Sequence, residues 1–428
     1  MNHLMVALTD AAATDAGRFG PKAANQALLG QSGLPVPDGF CVDAEAYRLQ
    51  LDFLGLTETA RTAATLEPLK ARRYISEVRL GLYQKPIMAP LLESLVTAWR
   101  ELAGHTGALT VVRSSALMED GAGSNFAGQF ETFLGLDNET DFLTAVRACW
   151  AALWSSRALQ YMEGHGVSPA DTAMALLVQP LVAAHSSGGG MSPTADGGMS
   201  LTATWGLGSA IAQGEVVPDR YELGNDGEVL ETAAGRKHHS VHCARHDAEP
   251  ASRAVSRDKV SQPCLHGAQV AELGQLMKKA EGLLGVPVEI EWALDEAGFK
   301  LLQARPLHME PAQVPDEIWL RHPGLKGHPS GVGWGAGRAC VINCECELSR
   351  VAPGDILVTK VAGPALSQVL PRVSGVVAEL GGSTSHLASL ARERGIPMVL
   401  GVLEATHKIP DGAQVGVDGV MGMVRWIS

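Results

Sequence analysis

Apolar and polar positions repeat along this chain with two periods, and the changes between them outline its elements. Leu91, Leu92, Leu95, Val96, Trp99 and Leu102 recur three and four residues apart. They predict an apolar stripe on a helix within a helical stretch 54–104. Phe142, Val146, Trp150 and Leu153 predict a second amphipathic helix over 141–164. Between these, the apolar run 109–112 predicts a short strand with Arg113 at its end, and 173–182 predicts a buried strand. Nearer the start, a helix is expected from Ala23 to Gly30, then a turn punctuated by Pro35 and Pro37 that leads into a strand. Positions 286–293 alternate with period two, which sets Glu289 and Glu291 on one face of a strand. A returning strand begins at Phe299, with Gln303, Ala304, Arg305 and Pro306 following. The glycine- and serine-rich stretch 186–198 reads as a loop, and the glycine- and proline-bearing 311–337 as a linker without periodicity. A flexible chain of the linker's length has an end-to-end spread of roughly 30 Å. Beyond it, strands at 355–359, 375–379, 398–402 and 414–417 alternate with helices near 363–370 and 384–394. The pattern predicts an α/β fold in three parts: a large domain over 1–310, the linker 311–337 and a small domain over 338–428.

Composition narrows the function classes. The chain has 428 residues, 46% of them apolar, enough for more than one core. It holds no run of eighteen apolar residues, so no membrane span is expected. The net charge of −12 argues against nonspecific nucleic-acid binding. Seven scattered cysteines and a start without a basic-then-apolar leader predict free thiols and a cytoplasmic protein. The spacing of Cys340, Cys344 and Cys346 fits no standard zinc pattern. His238, His239, His242 and His246 share no common helix or strand face and read as a solvated stretch.

The chemistry concentrates in the segment Gly381-Gly382-Ser383-Thr384-Ser385-His386-Leu387-Ala388, which reads as a turn feeding a helix. Ser383 or Thr384 is the expected N-cap, and Gly395 with Pro397 ends the helix. His386 then lies in the first turn, where free backbone N–H groups and the helix dipole favour an anion. A neutral imidazole there is a competent nucleophile that could carry a phosphoryl group. Elsewhere, Lys22 follows a glycine-containing loop and can reach a phosphate as a point charge. Arg113, beside a loop of Ser, Gly and Asn, suits polyphosphate. Two carboxylates on one strand, with Gln303 and Arg305 on its neighbour, can hold Mg²⁺ against phosphate oxygens. A solvated hairpin face is the alternative for that pair.

These segments together resemble the phosphoenolpyruvate-utilising enzymes: phosphoenolpyruvate synthase, pyruvate phosphate dikinase and rifampin phosphotransferase. The resemblance runs through the Thr-Ser-His turn, Val112-Arg113-Ser114-Ser115 with Glu119-Asp120 and 124–129, Gly206-Leu207-Gly208, Val217-Pro218-Asp219 and the pair Glu289-Ile290-Glu291-Trp292 with Gln303-Ala304-Arg305-Pro306. It implies an ATP-grasp-like nucleotide-binding domain followed by a small swivelling phosphohistidine domain. By this resemblance His386 carries the phosphoryl group and Arg113 and Arg305 act beside it in catalysis. Lys22, Arg113, Thr132, Gln179, Glu291, Gln303 and Arg305 bind ATP, and Glu291 and Gln303 hold Mg²⁺. The chain departs from the family's usual letters in four places, one of them the insertion-like Asn125. Pro21 replaces a glycine before Lys22, Glu289 replaces an aspartate, and 186–194 lack the usual Ser-Gly-Val-Ala-Phe-Thr.

The implied activity is an ATP-dependent, dikinase-type phosphotransfer. The β-phosphoryl of ATP would pass through His386 to a small-molecule acceptor, with AMP and phosphate released. Nothing in the chain resembles the family's pyruvate or phosphoenolpyruvate site, so the acceptor is not named by the sequence. The alternative is a phosphoryl carrier or regulatory subunit that acts on a separate protein.

Overall fold

The computed structural model describes residues 2–119, 130, 132–192, 197–243, 251–307, 319, 322 and 324–427. The chain divides into two compact units. One comprises Met1–Ala183, Cys243–Ala251 and Lys300–Arg305. The other comprises Ala184–His242, Ser252–Phe299 and Pro306–Ser428. Both mix helix and sheet, as the periodicity predicts.

The first unit is built on an antiparallel sheet of order β1-β2-β5-β3-β4. Its strands are β1 (Met5–Ala7), β2 (Phe40–Val42), β3 (Thr110–Ala116), β4 (Thr132–Leu136) and β5 (Met174–Pro180). The apolar stripe on 91–102 falls on the helix Ala89–Thr106, with Leu91, Leu95 and Trp99 buried. The predicted 141–164 helix is two, Glu139–Ala152 and Ser156–Gly164. Ser155 caps the second by accepting from the Ala158 N–H, which interrupts the first. Arg113 lies inside β3 rather than at its end, because the strand continues through Ser114 and Ser115 against β5.

The predicted loop before Lys22 is a kink inside the helix Ala16–Gln31. Gly20 has φ +73° there, and Pro21 restarts the helix. A Cβ at Gly20 would lie 2.5 Å from Ser115 Oγ. Gly20→Ala is therefore expected to destabilise the protein by about 1–3 kcal/mol in urea unfolding. Gly104, whose site is open, is expected to gain about 0.4–1 kcal/mol on replacement by alanine. Equal midpoints for the two variants would contradict the strain at Gly20.

The second unit starts with β6 (Ser186–Ser192), β7 (Met199–Trp205), β8 (Asp219–Leu223) and β9 (Val229–Ala233). After the short strands β10 (His239–His242) and β11 (Ala251–Ala254) come the helix Gly267–Leu284 and β12 (Val288–Asp295). The sheet runs β12-β6-β7-β8-β9, all antiparallel. The 186–192 segment, read as loop from its composition, is thus an interior strand. Its glycines are filled by neighbours. Room for a Cβ at Gly190 is taken by Met277 Sδ at 2.9 Å and Ile290 Cγ1 at 3.3 Å. Beyond β12 the chain runs into β13 (Gly298–Pro306), most of which belongs to the first unit.

The rest of the second unit holds β14 (Gly324–Lys326), β15 (His328–Pro329), β16 (Trp334–Ile342), β17 (Ile356–Thr359), β18 (Gly375–Ala378), β19 (Met398–Leu400), β20 (Gln414–Asp418) and β21 (Met423–Ile427). They order as β14-β21-β20-β16-β17-β18-β19-β15, with a parallel centre over β16 to β19. The four predicted strands are present. Two short strands, β14 and β15, and the start of β16 fall within the stretch read as linker. The helix expected at 363–370 is instead two 3₁₀ turns, Pro364–Gln368 and Leu370–Arg372. Pro371 has no N–H with which to continue an α-helical ladder. Cys344 and Cys346 form a disulfide, against the expectation of free thiols throughout. The turn at 344–346 brings their Cα atoms to 5.3 Å, within bridging reach. Cys41, Cys149, Cys243, Cys264 and Cys340 are free.

His328 is 4% exposed in β15. Burial, then the nearby Arg220 charge, lowers its pKa to about 3. The unfolded chain binds a proton near pH 6.5 that the folded chain refuses, so stability falls as pH drops from 6.5 toward 3. The expected slope from this group is about 1.4 kcal/mol per pH unit. His328→Leu is expected to flatten the urea stability profile between pH 6 and 4. An unchanged slope would remove His328 as its cause.

Candidate active site

In the first unit, the expected phosphate-binding side chains gather around β3. Lys22 Nζ donates to the Ser114 carbonyl at 2.9 Å and pairs with Glu119 at 2.7 Å. One turn along the same helix, Asn25 donates to the Ala304 carbonyl at 3.1 Å. Arg113 donates to the Leu302 carbonyl at 2.9 Å, and the Leu301 N–H donates to the Pro35 carbonyl at 2.7 Å. The 300–305 segment is thereby fixed beside Lys22 and Arg113. It carries Gln303, which is buried, and Arg305, which is half-buried. Thr132 stands opposite Arg113 across the β3–β4 ladder. Gln179 is 3% exposed, and its amide nitrogen donates to the Pro37 carbonyl at 3.0 Å. Asp120, 124–129, Pro193, Thr194 and His246 lie outside the described residues.

Glu291 and His386 belong to the second unit. His386 is the first residue of the helix His386–Glu393. The N-cap is Ser385, whose hydroxyl accepts from the Ala388 N–H, and neither Ser383 nor Thr384 fills that place. Three hydroxyl residues in a row could each cap, and the extended backbone of Ser385 decides among them. His386 keeps its expected place at the positive helix end.

The register of the β12-β6-β7 sheet shows what this turn lies against. Glu291 pairs with Gly189, Glu289 with Met191, and Gly189 with Thr202. Opposed residues share a face and side chains alternate, so Glu289, Glu291, Gly189 and Thr202 lie on one face. Ile290, Trp292 and Gly190 lie on the other, which the Gly267–Leu284 helix covers through Met277. Thr384 sits against the first face, with its hydroxyl 3.4 Å from that of Thr202. Arg392 pairs with Glu289 at 2.8 Å on the same face. Arg392 stood in the sequence motif, but no local signal marks a partner about a hundred residues away.

Glu291 and Gln303 are oxygen donors of the kind Mg²⁺ takes, a carboxylate and an amide carbonyl. Among the described residues no group of three or more His, Cys, Asp or Glu is placed to hold a metal. His239 contacts Glu215 at 3.0 Å and His242 contacts Ser240 at 2.9 Å. Burial and then Arg253 hold the His242 pKa below its usual value. No described helix is long and apolar enough to cross a membrane.

Residues 16–320 match the family described as pyruvate phosphate dikinase, AMP/ATP-binding domain. Residues 351–422 match the PEP-utilising enzyme, mobile domain. A probable phosphoenolpyruvate synthase of Methanothermobacter thermautotrophicus is 30% identical over 422 residues, covering 96% of this chain and 61% of that protein. The phosphoenolpyruvate synthase of Pyrococcus furiosus is 30% identical, covering 96% of this chain and 57% of its own. That of Escherichia coli is 30% identical over 93% of this chain and 54% of its own. The chain thus spans little more than half the length of these curated relatives. With the AMP/ATP-binding match over most of its length and the mobile-domain match after it, this chain belongs to the pyruvate phosphate dikinase family of phosphoenolpyruvate-utilising enzymes.

Proposed function

We propose that the protein is an ATP-dependent phosphotransferase of dikinase type, with 1–310 as the nucleotide domain, 338–428 as the phosphohistidine domain and 311–337 as the connection. One observation carries the reading. A histidine stands at the first position of a helix, after a glycine-rich turn whose Thr384 lies against the sheet face that bears Glu291.

In this reading Lys22, Arg113 and Arg305 neutralise the phosphates of ATP, with Thr132 and Gln179 also at the nucleotide. Glu291 and Gln303 would hold Mg²⁺, which supplies further charge neutralisation when bound. A ring nitrogen of His386 attacks phosphorus as a neutral imidazole, forming an N–P bond while a P–O bond to the nucleotide breaks. The Ser385-capped helix end stabilises the negative charge that arrives. By family analogy the attack falls on the β-phosphorus with AMP leaving, and water then cleaves the terminal phosphate from the resulting pyrophosphoryl-His386, so that the β-phosphoryl is retained and phosphate leaves. The phosphohistidine then passes its group to a small-molecule acceptor.

Incubation with Mg·ATP, followed by intact mass and nucleotide analysis, tests the first half. The expected result is a gain of one acid-labile phosphoryl group with matching AMP. Release of ADP alone, or a phosphate that survives acid, would overturn the reading. Phosphohistidine that discharges only when a second protein is added would favour the carrier alternative over a metabolite acceptor.

A further inference from the structure

The sheet face that receives the His386 turn is shaped by one missing side chain and one buried ion pair. A Cβ at Gly189 would lie 2.7 Å from Thr384 Cβ and 2.9 Å from its hydroxyl, so the turn occupies the space a side chain there would fill. Arg392 lies six residues after His386 on the same helix, and both it and Glu289 are almost fully buried, at 4% and 6% side-chain exposure. One guanidinium nitrogen donates to the Ser383 carbonyl at 2.6 Å. The other donates to Glu289 at 2.8 Å and to the Ser389 hydroxyl at 3.2 Å. Arg392 therefore ties together the turn before His386, the helix after it and strand β12. The same turn is held at its start, where the Gly381 N–H donates to the Val216 carbonyl at 3.0 Å.

We propose that Arg392 is the positioning residue of the carrier turn, seating it in register on the sheet through Glu289 and the open place at Gly189, so that Glu289 serves the turn and not the metal. The role in phosphotransfer rests on the proposed function; the seating itself does not. The chemistry suits a contact that must form and release. Two charges removed from water cost nearly what their attraction returns, so such a pair fixes register more than it adds affinity. The planar fork also suits a carbonyl and a carboxylate at once, which a lysine ammonium does less well. The chain's departure from aspartate at position 289 gives the carboxylate one more methylene, and it is this longer side chain that meets Arg392.

The test needs no ATP. Thr202→Cys and Thr384→Cys are introduced together, since their hydroxyls stand 3.4 Å apart. Oxidation with copper phenanthroline is followed by peptide mass mapping of the 202–384 disulfide. Adding the neutral pair Glu289→Gln with Arg392→Gln is expected to slow cross-linking on the order of tenfold, an ordinary loss of one coupled interaction. Arg392→Lys alone is expected to fall between parent and neutral pair. In parallel, phosphoramidate offers His386 a small phosphoryl donor that needs no seating, and its labelling of His386 is expected to be equal in all three. Equal cross-linking rates in parent and neutral pair would overturn the proposal. So would a parallel loss of phosphoramidate labelling, which would make Arg392 a support of the helix alone. A failure of the wild-type chain to react with ATP would count against the proposed function and leave the cross-linking result readable.

Discussion

With alanine in place of His386, the protein is expected to gain no mass from Mg·ATP and to release no AMP above the uncatalysed level. The expected effect is complete because the group that forms the covalent bond is removed, leaving only binding and charge stabilisation. The neighbouring hydroxyls are poorly placed to replace it. Ser383, Ser385 and Ser389 are buried; Ser385 caps the helix and Ser389 accepts from Arg392. A phosphoserine would also survive acid, so the two products are separable. ATP binding, followed by equilibrium dialysis, is expected to persist in the variant, because Lys22, Arg113 and Arg305 belong to the other compact unit. Acid-labile phosphate on the alanine variant would assign the carrier role to another residue.

A second large effect is expected at Lys237. Its ammonium pairs with the Asp219 carboxylate, and both side chains are fully buried. Asp219 also accepts from the N–H groups of Gly235 and Cys264, each at 2.7 Å. Lys237→Met would leave a buried carboxylate with hydrogen bonds but no counter-charge. The expected loss is about 3–5 kcal/mol, read as a shift in the urea midpoint. Adding Asp219→Asn should restore part of it, since the buried charge is gone and the amide oxygen can still accept from one of the two N–H groups. A loss below about 1 kcal/mol would place the pair among ordinary surface contacts. Asp219 follows Pro218 and opens β8, at a place the sequence marks only by family letters. Its structural part is to hold β8, the 235–237 segment and the approach to the Gly267–Leu284 helix together.

What could be read from the sequence was what local periodicity encodes. The alternation over 286–293 gave β12 and the common face of Glu289 and Glu291, and the stripe from Leu91 gave its helix. The turn before His386 was legible because caps and stops lie within a few residues of one another. The site residues Lys22, Arg113, Gln303 and Arg305 were legible only through family letters; their packing around β3 depends on contacts between positions far apart in the chain. The strand at 186–192 was hidden because three consecutive glycines carry no alternation to read. Its strand character comes from β7 and β12 on either side. Arg392 was in plain view as a helix residue, yet its partner Glu289 belongs to a strand about a hundred positions earlier.

The bare backbone at Gly189 has a thermodynamic consequence. A receiving surface made of side chains must freeze their rotamers each time a segment arrives, at up to about 2 kcal/mol for a long one. Glycine has no rotamers to freeze, so at this position arrival orders only the incoming Thr384. Departure likewise returns no entropy to the surface there. Close fit at this position therefore costs the sheet no side-chain order, and in the proposed carrier role the turn would seat and leave without rearranging it.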